Sequence, residues 1–375
     1  MNFFRRIFSG TIGTINVIFL LLFLMAAFSD RISPEKSTFF AYLGLGFPIL
    51  FFINLLFLIY YAFTQNWKMI LVGLVVMLIS GPSLANNFGL HLRKKPENRE
   101  NTIKILSYNI MSFAYKDHTT EEPNEIIQYI IDSDADIVCL QEGLFGQNQQ
   151  TFKKNKYYLA LSAVYPYHSI MPLKGHHYNC LAVFSRFPIK SSRWIEYESK
   201  HNGSSLHILD VNGKSLALVN NHLESFKLTI EDKSKYTDLI KNLSMQAFDE
   251  FKGTIPQKLG NAFRIRARQA DILAEEISNL QTDYTIVCGD FNDTPVSYAH
   301  RTIQGSLRDA FSDSGFGIGI TYNQNFFWFR IDHILYSPNM RAIGCKVDKV
   351  RYSDHYPIWC YLEMNGSSDS SNAPK

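Results

Sequence analysis

The chain has 375 residues, which is enough for one large domain or two of ordinary size. Its net charge of only +3 gives no global basic field, so overall charge does not argue for binding of nucleic acid. The five cysteines are odd in number and scattered along the sequence. This pattern fits small buried side chains better than a disulfide framework or a zinc site.

Three apolar stretches open the chain and fill most of residues 1–85: residues 11–28, 39–63 and 69–84. A membrane-spanning helix needs about 20 apolar residues, so the pattern predicts about three transmembrane helices and a multi-pass membrane protein. A signal peptide is the alternative for the first stretch, because Arg5 and Arg6 precede it. The apolar run is long for a signal peptide and another span follows at once, which favours a membrane anchor.

The flanking charges predict the side of the membrane on which the rest of the chain lies. Arg5 and Arg6 favour a cytoplasmic N-terminus, and three spans then place the large domain outside the cytoplasm. The basic run at residues 93–95 favours the opposite orientation, but the first helix usually dominates. We therefore expect an extracytoplasmic domain, joined to the membrane part by a polar linker at residues 86–101.

The soluble part, residues 102–363, has the pattern of an α/β domain, and the Ser-rich tail at residues 364–375 predicts disorder. Helical spacing of apolar residues predicts helices at residues 121–133 and 261–280. An Asn-Gly pair at residues 212–213 lies between two strand-like runs and predicts a β-hairpin.

Two segments of the soluble part leave more than one interpretation. Residues 226–260 are polar without a clear period, and they form either a lid beside a site or a solvated flap without a role. Alternation in residues 326–336 predicts a strand with Arg330, Asp332 and Ile334 on one face. A carboxylate turned inward on such a strand needs a partner, because an unpaired buried charge is costly.

Several apolar runs that are typical of buried strands end in side chains with oxygen or nitrogen ligand atoms. In the clearest of these, Gly289 allows a turn or a close approach, and Asp290 and Asn292 then lie on one side of an extended chain. Hard oxygen ligands at the carboxyl end of a strand suit a magnesium–phosphate site. A turn with solvated polar residues explains any single one of these ends equally well. The full set is Asn109, Glu142, His222, Asp290, Asn292, Asp332, Asp354 and His355.

The order of these motifs resembles the endonuclease/exonuclease/phosphatase family, the DNase I-like superfamily. The resemblance covers about residues 102 to 363 and leaves out the membrane part. It implies a four-layer α/β sandwich of two mixed β-sheets flanked by helices, with the site at one edge of the sheets. Six motifs in one order are much stronger than any one alone. They are Ser107-Tyr108-Asn109, Leu140-Gln141-Glu142, Asn221-His222-Leu223, Gly289-Asp290-Phe291-Asn292, Arg330-Ile331-Asp332-His333 and Ser353-Asp354-His355-Tyr356-Pro357.

The resemblance implies a metal-binding role for one group of these residues. Glu142 would hold the catalytic Mg²⁺ or Mn²⁺, with Asn109 and Asp354 close to it. Asp290 and Asn292 would orient the nucleophilic water and the phosphoryl group. Attack on a phosphoester builds charge on the non-bridging oxygens, so a cation and hydrogen-bond donors have to be in place beforehand.

The resemblance implies acid–base roles for the remaining residues. His355 would be the general base or would polarise the phosphate, and Asp332 would fix its tautomer. His222 would contact the scissile phosphate and assist the leaving oxygen. Substrate binding would therefore involve His222 together with Asn109 and Asn292.

The predicted function is a membrane-anchored, metal-dependent phosphoesterase whose substrate is nucleic acid or a phospholipid head group, with no obligate protein partner. The abasic-site endonuclease branch usually carries Asn where this chain has His222. The chain is therefore more similar to the DNase I, sphingomyelinase and inositol-phosphatase branches. The alternative is a catalytically inactive, membrane-tethered binding module of the same fold, against which the intact acidic and histidine residues argue.

Overall fold

The computed structural model describes residues 2–364, except residues 93, 98, 147, 174–178, 200, 243 and 325–326. Most of the predicted disordered tail, and Phe326 of the predicted strand, lie outside the described residues. The helices α1 to α12 are Asn2–Ala27, Thr38–Leu45, Phe47–Phe63, Trp67–Ile79, Gly81–Asn87, Glu125–Asp132, Gln149–Phe152, Lys156–Ser162, Ile230–Asn242, Met245–Ser278, Tyr298–Gln304 and Ala310–Ser314. The strands β1 to β14 are Gly89–Leu90, Thr102–Asn109, Ile137–Gly143, Tyr167–Pro172, Cys180–Ser185, Ile189–Ile195, Gly203–Val211, Lys214–His222, Tyr284–Asp290, Arg308–Asp309, Phe316–Gly317, Asp332–Tyr336, Met340–Val347 and Ile358–Met364.

Two six-stranded sheets form the centre of the soluble part. Sheet I has the strand order β13-β14-β2-β3-β5-β4, and sheet II has the order β10-β12-β9-β8-β7-β6. Their facing sides share one buried core, to which Ile105 and Cys139 of sheet I and Leu218 and Ile286 of sheet II belong. Burying an aliphatic side chain of this size contributes about 1.5–3 kcal/mol, so this inner layer dominates the stability of the domain.

Helices cover the outer face of each sheet. Ile126 and Ile130 of α6 pack with the outer side chains of sheet I. Leu273 of α10 and Ile303 of α11 pack with the outer side chains of sheet II. The predicted four-layer α/β sandwich is therefore confirmed, and so is the predicted hairpin, since β7 and β8 pair across residues 212–213.

One parallel strand pair at the centre of each sheet positions the polar strand ends. β2 pairs with β3 in parallel, with Asn109 opposite Gln141. β8 pairs with β9 in parallel, with His222 opposite Asp290. Because parallel strands end at the same edge of a sheet, these side chains and the adjacent Glu142 come to one edge of the sandwich.

The N-terminal region contains apolar helices with two sharp bends. Within the described part of the chain, the stretch Gly10–Ala27 is long and apolar enough to cross a membrane, and up to three spans result if each bent pair counts as one. The expected helix at residues 39–63 divides into α2 and α3 at an angle of 60°, and that at 69–84 divides into α4 and α5 at 65°. Pro48 and Pro82 lie in the first turn of the second helix of each pair, where a missing N–H interrupts the preceding helix.

The N-terminal region lies directly against the sandwich. Ser29 Oγ donates to the carbonyl oxygen of Val296 at 3.1 Å, and Arg301 lies 3.4 Å from the carboxylate of Asp30. Within residues 86–101, predicted as a linker, β1 pairs with β11 of the sandwich. The first part of this segment is therefore held against the domain.

Residues 226–260, for which the sequence predicted no element, are largely helical, because α9 and the first half of α10 occupy most of this segment. The predicted helix at residues 261–280 accordingly begins earlier, at Met245. Ile255 and Leu259 of α10 are buried against apolar side chains of α2. This contact with a distant part of the chain stabilises a helix whose own sequence has little apolar periodicity.

The strand predicted at residues 326–336 begins only at Asp332. Arg330, which was expected on the same face as Asp332, instead lies 3.0 Å from the carboxylate of Asp309, and both side chains are buried. The cost of an unpaired buried charge explains the pairing. The ion pair with Asp309 directs the Arg330 side chain away from the site edge of the sheet, where the strand begins at Asp332.

Candidate active site

Asn109 joins the two sheets at the edge where their parallel strands end. Its Nδ2 donates to Glu142 Oε1 and to Asp290 Oδ2, at 3.1 Å in both cases. Its Oδ1 accepts from the backbone N–H of Met111 at 3.2 Å, which fixes the orientation of the amide. The single buried amide therefore holds a carboxylate of sheet I and a carboxylate of sheet II within reach of each other.

The backbone at two of the predicted site residues is strained. Glu142 has φ of 56° and Asn292 has φ of 51°, in the left-handed region that residues with a Cβ avoid at a cost of about 1–2 kcal/mol each. The backbone N–H of Asn292 donates to Asp290 Oδ1 at 2.8 Å, and its side chain donates to the carbonyl oxygen of Leu223 at 2.9 Å. These contacts hold the strained turn and orient the Asp290 carboxylate.

Gly289 precedes Asp290 at a point where two backbones come very close. Its φ is +129°, and a Cβ there would lie 2.1 Å from the carbonyl oxygen of Asn221. Only glycine fits this position, as the sequence suggested. The close approach brings His222 and Asp290 side by side at the ends of β8 and β9.

Two histidines face the Asp290 carboxylate. His355 Nδ1 lies 2.9 Å from Asp332 Oδ2, and His355 Nε2 lies 3.7 Å from Asp290 Oδ2. His222 Nε2 lies 3.6 Å from Glu142 Oε1 and 3.8 Å from Asp290 Oδ2. Both imidazoles and both aspartates are buried, whereas the Glu142 side chain is 32% exposed and faces the pocket.

The close charges perturb the titration of this cluster. Burial raises the pKa of Asp290 to about 6, and Asp332 adds to the rise while His355 and His222 oppose it. Burial alone would lower the pKa of His355, but the carboxylates of Asp332 and Asp290 outweigh it and raise that pKa well above its ordinary value. The carboxylates around His355 thus favour the charged form of its imidazole. This one positive charge does not balance the negative charges of the surrounding carboxylates.

The donor atoms fit a divalent cation of the hard, oxygen-preferring kind. Ligand atoms of Asp290, Asp332 and His355 all lie within 4.8 Å of one another, and of these the carboxylate oxygens are the cation ligands that remain, since the charged imidazole does not bind a cation. Asp332 Oδ1 is buried and has no hydrogen-bond partner among the described residues. Glu142 and Asp354 line the same pocket with their carboxylates. Excess carboxylate oxygens at a water-accessible pocket are what Mg²⁺ or Mn²⁺ binding requires.

The structure brings the predicted site residues to one place. Asp354 follows Ser353, whose Oγ lies 3.2 Å from Asp354 Oδ1 and 2.8 Å from the carbonyl oxygen of Asn109. This contact ties the segment that carries Asp354 and His355 to the end of β2. Residues from all eight predicted positions line the pocket or contact a residue that does: Asn109, Glu142, His222, Asp290, Asn292, Asp332, Asp354 and His355.

Three further pocket residues were missed by the sequence prediction. The ring of Tyr322 packs edge-on against the His355 imidazole at 5.0 Å between centroids. Lys233 Nζ donates to the hydroxyl of Tyr322 at 3.1 Å, and Lys227 pairs with the buried carboxylate of Glu224. Both lysines lie in residues 226–260, where no motif marked them. No sequence signal identified the tyrosine either.

The fold and the site together define a class. A four-layer sandwich with a histidine–carboxylate cluster at the carboxyl ends of its central strands is the DNase I-like arrangement of phosphoester hydrolases. Residues 106–355 match the profile of the Endonuclease/Exonuclease/phosphatase family, well over half of the chain, and the chain belongs to this family. At that coarse level it is a hydrolase of phosphoester bonds.

The chain was also compared with a second family, with curated protein sequences and with solved structures. Residues 5–87 match a domain of unknown function, and no curated protein sequence matches the chain. An endonuclease/exonuclease/phosphatase from Beutenbergia cavernae DSM 12333 is 16% identical with a TM-score of 0.49, covering 71% of this chain and 72% of its own. The human Nocturnin catalytic domain with bound sulfate is 18% identical with a TM-score of 0.49, covering 73% and 95%. A family protein from Bacteroides thetaiotaomicron is 18% identical with a TM-score of 0.45, covering 70% and 97%.

Proposed function

We propose that the chain is a membrane-anchored phosphoesterase that depends on Mg²⁺ or Mn²⁺ and hydrolyses phosphodiester or phosphomonoester bonds by attack of an activated water. The observation that carries the proposal is the convergence of the His355–Asp332 pair with Asp290 and Glu142 in one pocket. Family membership supports the reaction class. The apolar helix α1 supports the anchor.

The Asp332–His355 pair sets the direction of the imidazole. Asp332 Oδ2 accepts the Nδ1–H of His355, so Nε2 points towards Asp290 and the pocket. A charged imidazole held in this way donates to a phosphoryl oxygen and stabilises the charge that develops there.

Asp290 is the group that orients the attacking water and accepts its proton. Its Oδ1 is held by the N–H of Asn292 and its Oδ2 by Asn109, so the carboxylate has one defined orientation. A carboxylate with a pKa near 6 is suited to proton transfer near neutral pH. His222, beside it, donates to the leaving oxygen, which completes the acid–base pair.

Glu142 and Asp354 are the residues that would hold the divalent cation, with the Asp290 carboxylate beside them. When bound, the cation supplies positive charge that stabilises the negative phosphoryl oxygens. Asn109 presents its amide nitrogen to Glu142 and Asp290, so in this arrangement it orients the carboxylate ligands.

We also propose a multi-pass membrane protein with the catalytic domain outside the cytoplasm. The support is the number of apolar stretches, up to three when each bent pair counts as one span, and the two arginines before the first. Protease treatment of intact cells tests this orientation. Cleavage of the domain without lysis agrees with it, and complete protection until lysis contradicts it.

The test of activity uses the full chain in detergent micelles. Hydrolysis of bis-p-nitrophenyl phosphate, plasmid DNA, RNA, sphingomyelin and phosphatidylinositol phosphates is measured with Mg²⁺, with Mn²⁺ and with EDTA. We expect metal-dependent turnover that falls at least about a hundredfold in His355→Ala and in Glu142→Ala. The matched controls His91→Ala and Glu121→Ala change exposed residues outside the pocket and should retain the activity.

One result would contradict the proposal directly. If the folded, metal-supplied protein hydrolysed none of these substrates, the membrane-tethered binding module would become the better explanation. If turnover survived both substitutions, a different site would be responsible. Circular dichroism of each variant distinguishes lost chemistry from lost folding.

A further inference from the structure

The pocket that contains the catalytic cluster has an apolar wall supplied by the N-terminal region. Leu45, the last residue of α2, lines the same pocket as Glu142 and His355. Leu45 belongs to the apolar stretch at residues 39–63 that is predicted to cross the membrane, and it precedes Glu142 by 97 positions. The catalytic pocket is therefore bordered by the end of α2, next to the bend that joins α2 to α3.

The wall continues from α2 into the sandwich through a cluster of apolar contacts. Phe263 of α10 is buried in it, and the rings of Tyr42 and Phe226 each pack edge-on against Phe263 at 5.4 Å between centroids. Leu45 and Leu228 belong to the same cluster. Phe226 and Leu228 then line the pocket beside Leu45, so the apolar surface is continuous from the helix to the site.

The other side of the pocket is apolar as well. Phe327, Phe329 and Ile331 line it, just before the strand that carries Asp332. The ring of Phe327 stacks on Tyr236 of α9 at 4.0 Å, which fixes this wall against the helical segment. The pocket thus joins a charged end to an apolar end, as an amphiphilic ligand requires.

The outer surface of α3 indicates the environment next to the apolar part of the pocket. Ile49, Leu56 and Phe63 are 60%, 66% and 85% exposed along the helix that follows the bend at Gly46. An apolar face of this size marks a surface that contacts a membrane or another protein, and its place in a predicted span agrees with a membrane. The exposed face of α3 begins at Ile49, four positions after the pocket residue Leu45 and across the bend between the two helices.

The charged end offers little of what a nucleic acid needs. The lysines among the described residues of the pocket are Lys227, which is paired with Glu224, and Lys233, which is bonded to Tyr322. Single-stranded nucleic acid is bound along a basic groove with stacked aromatic rings. In this pocket the aromatic rings lie together with the aliphatic side chains of Leu45 and Leu228. This apolar lining favours binding of acyl chains over binding of nucleic acid bases.

We infer that the substrate is a membrane lipid with a phosphoester in its head group, drawn from the bilayer that holds the N-terminal helices. The inference rests on the proposed phosphoesterase function and names its substrate class. The phosphoester lies at Asp290 and His355, and the lipid chains lie along Leu45, Phe226 and Leu228. One water adds to phosphorus, one P–O bond breaks, the water proton goes to Asp290, and the leaving oxygen takes a proton from His222, so no further reactant is needed.

The test uses the full chain in phosphatidylcholine vesicles that also contain phosphatidic acid, phosphatidylglycerol, a phosphatidylinositol phosphate or sphingomyelin. The turnover of each lipid is compared with that of its short-chain, water-soluble analogue, and with bis-p-nitrophenyl phosphate and single-stranded DNA. We expect at least one long-chain lipid to be hydrolysed with a kcat/KM about tenfold or more above its analogue. In Leu45→Gln the ratio of lipid turnover to bis-p-nitrophenyl phosphate turnover should fall about tenfold.

A second variant and a control keep the test decisive. Leu228→Gln changes the wall from the sandwich side and should lower the same ratio, even if Leu45→Gln disturbs the bent helices. Leu159→Gln changes an exposed leucine of α8 outside the pocket and should leave the ratio unchanged.

The outcomes separate the inference from the function on which it rests. Failure to hydrolyse the lipids, their soluble analogues, single-stranded DNA and also bis-p-nitrophenyl phosphate would overturn the phosphoesterase itself. Hydrolysis of that compound without preference for any long-chain lipid, or with faster turnover of DNA, would overturn the lipid inference alone. An unchanged ratio in both Leu45→Gln and Leu228→Gln would show that the wall does not bind the substrate.

Discussion

Replacement of Arg266 by methionine should destabilise the protein severely, because this arginine is fully buried beneath the active site. Its Nε donates to Asp293 Oδ2 at 3.0 Å and its Nη1 to the carbonyl oxygen of Glu224 at 2.7 Å. The guanidinium also lies 4.5 Å from the ring centroid of Phe226 and 5.2 Å from that of Phe263. Since Asp293 follows the strained turn that orients the catalytic carboxylate, Arg266 connects helix α10 to that turn.

The magnitude follows from the burial of both charges. Removing one partner of a buried ion pair costs about 3–5 kcal/mol, because the other charge is left without compensation. Loss of two cation–π contacts adds about 1–2 kcal/mol. We therefore expect Arg266→Met to lower the free energy of unfolding by about 4–7 kcal/mol. The matched control is Arg193→Met, whose pair with Glu276 is half-exposed and contributes less than about 1 kcal/mol.

Urea unfolding of the full chain in detergent, followed by tryptophan fluorescence, measures this loss. A double-mutant cycle with Asp293→Asn then isolates the ion pair, since Arg266→Met in that background no longer leaves a buried charge alone. We expect the double variant to be more stable than the sum of the single losses by at least about 1 kcal/mol. Additive losses, or a loss below about 1 kcal/mol for Arg266→Met, would refute the reasoning.

Two further predictions concern the catalytic pair and the pH dependence of stability. Asp332→Asn should lower kcat about a hundredfold with little change in KM, because the imidazole of His355 loses the carboxylate that orients it and stabilises its charge. Retention of a third of the activity would contradict this role. Burial lowers the pKa of His207 to about 3. As the pH falls below about 6.5, the unfolded chain binds a proton that the folded chain does not bind. The free energy of unfolding therefore decreases by about 1.4 kcal/mol per pH unit. Urea midpoints at pH 7 and 5 should therefore differ less in His207→Gln than in the unaltered protein, and equal differences would exclude His207 as the cause.

The strand ends of the site could be predicted because their signals are local. Gly289, Asp290 and Asn292 follow one apolar run directly, and His222 follows another. Each needs only the rule that buried strands are apolar and that their ends carry the polar residues. The assembly of these ends into one cluster required the parallel pairing of the strands, which the resemblance to the family supplied and the apolar pattern did not.

The apolar wall could not be predicted because its contacts join distant segments. Leu45 meets residues of α10 more than two hundred positions later, and nothing in its own sequence distinguishes it from a residue that faces lipid. The same reason hid Lys233 of α9, because a helix that is stabilised by packing need not show its own apolar period. Lys227 lies in the loop before α9, where no motif marks it. The left-handed backbone of Glu142 was equally hidden, since no glycine or turn signal marks that position.

The buried Arg330 makes the N-terminal region part of the support of the site. Its guanidinium pairs with Asp309 and also donates to the carbonyl oxygen of Asn86, which accepts from Ser312 Oγ at 3.3 Å as well. Two residues later, Asp332 begins the strand that orients the catalytic imidazole. A chain cut after residue 101 would leave this arginine with an unsatisfied buried N–H, at a cost of about 1–3 kcal/mol next to the catalytic pair. The N-terminal region therefore supports the site in two ways, because it borders the pocket through Leu45 and satisfies the buried arginine behind it.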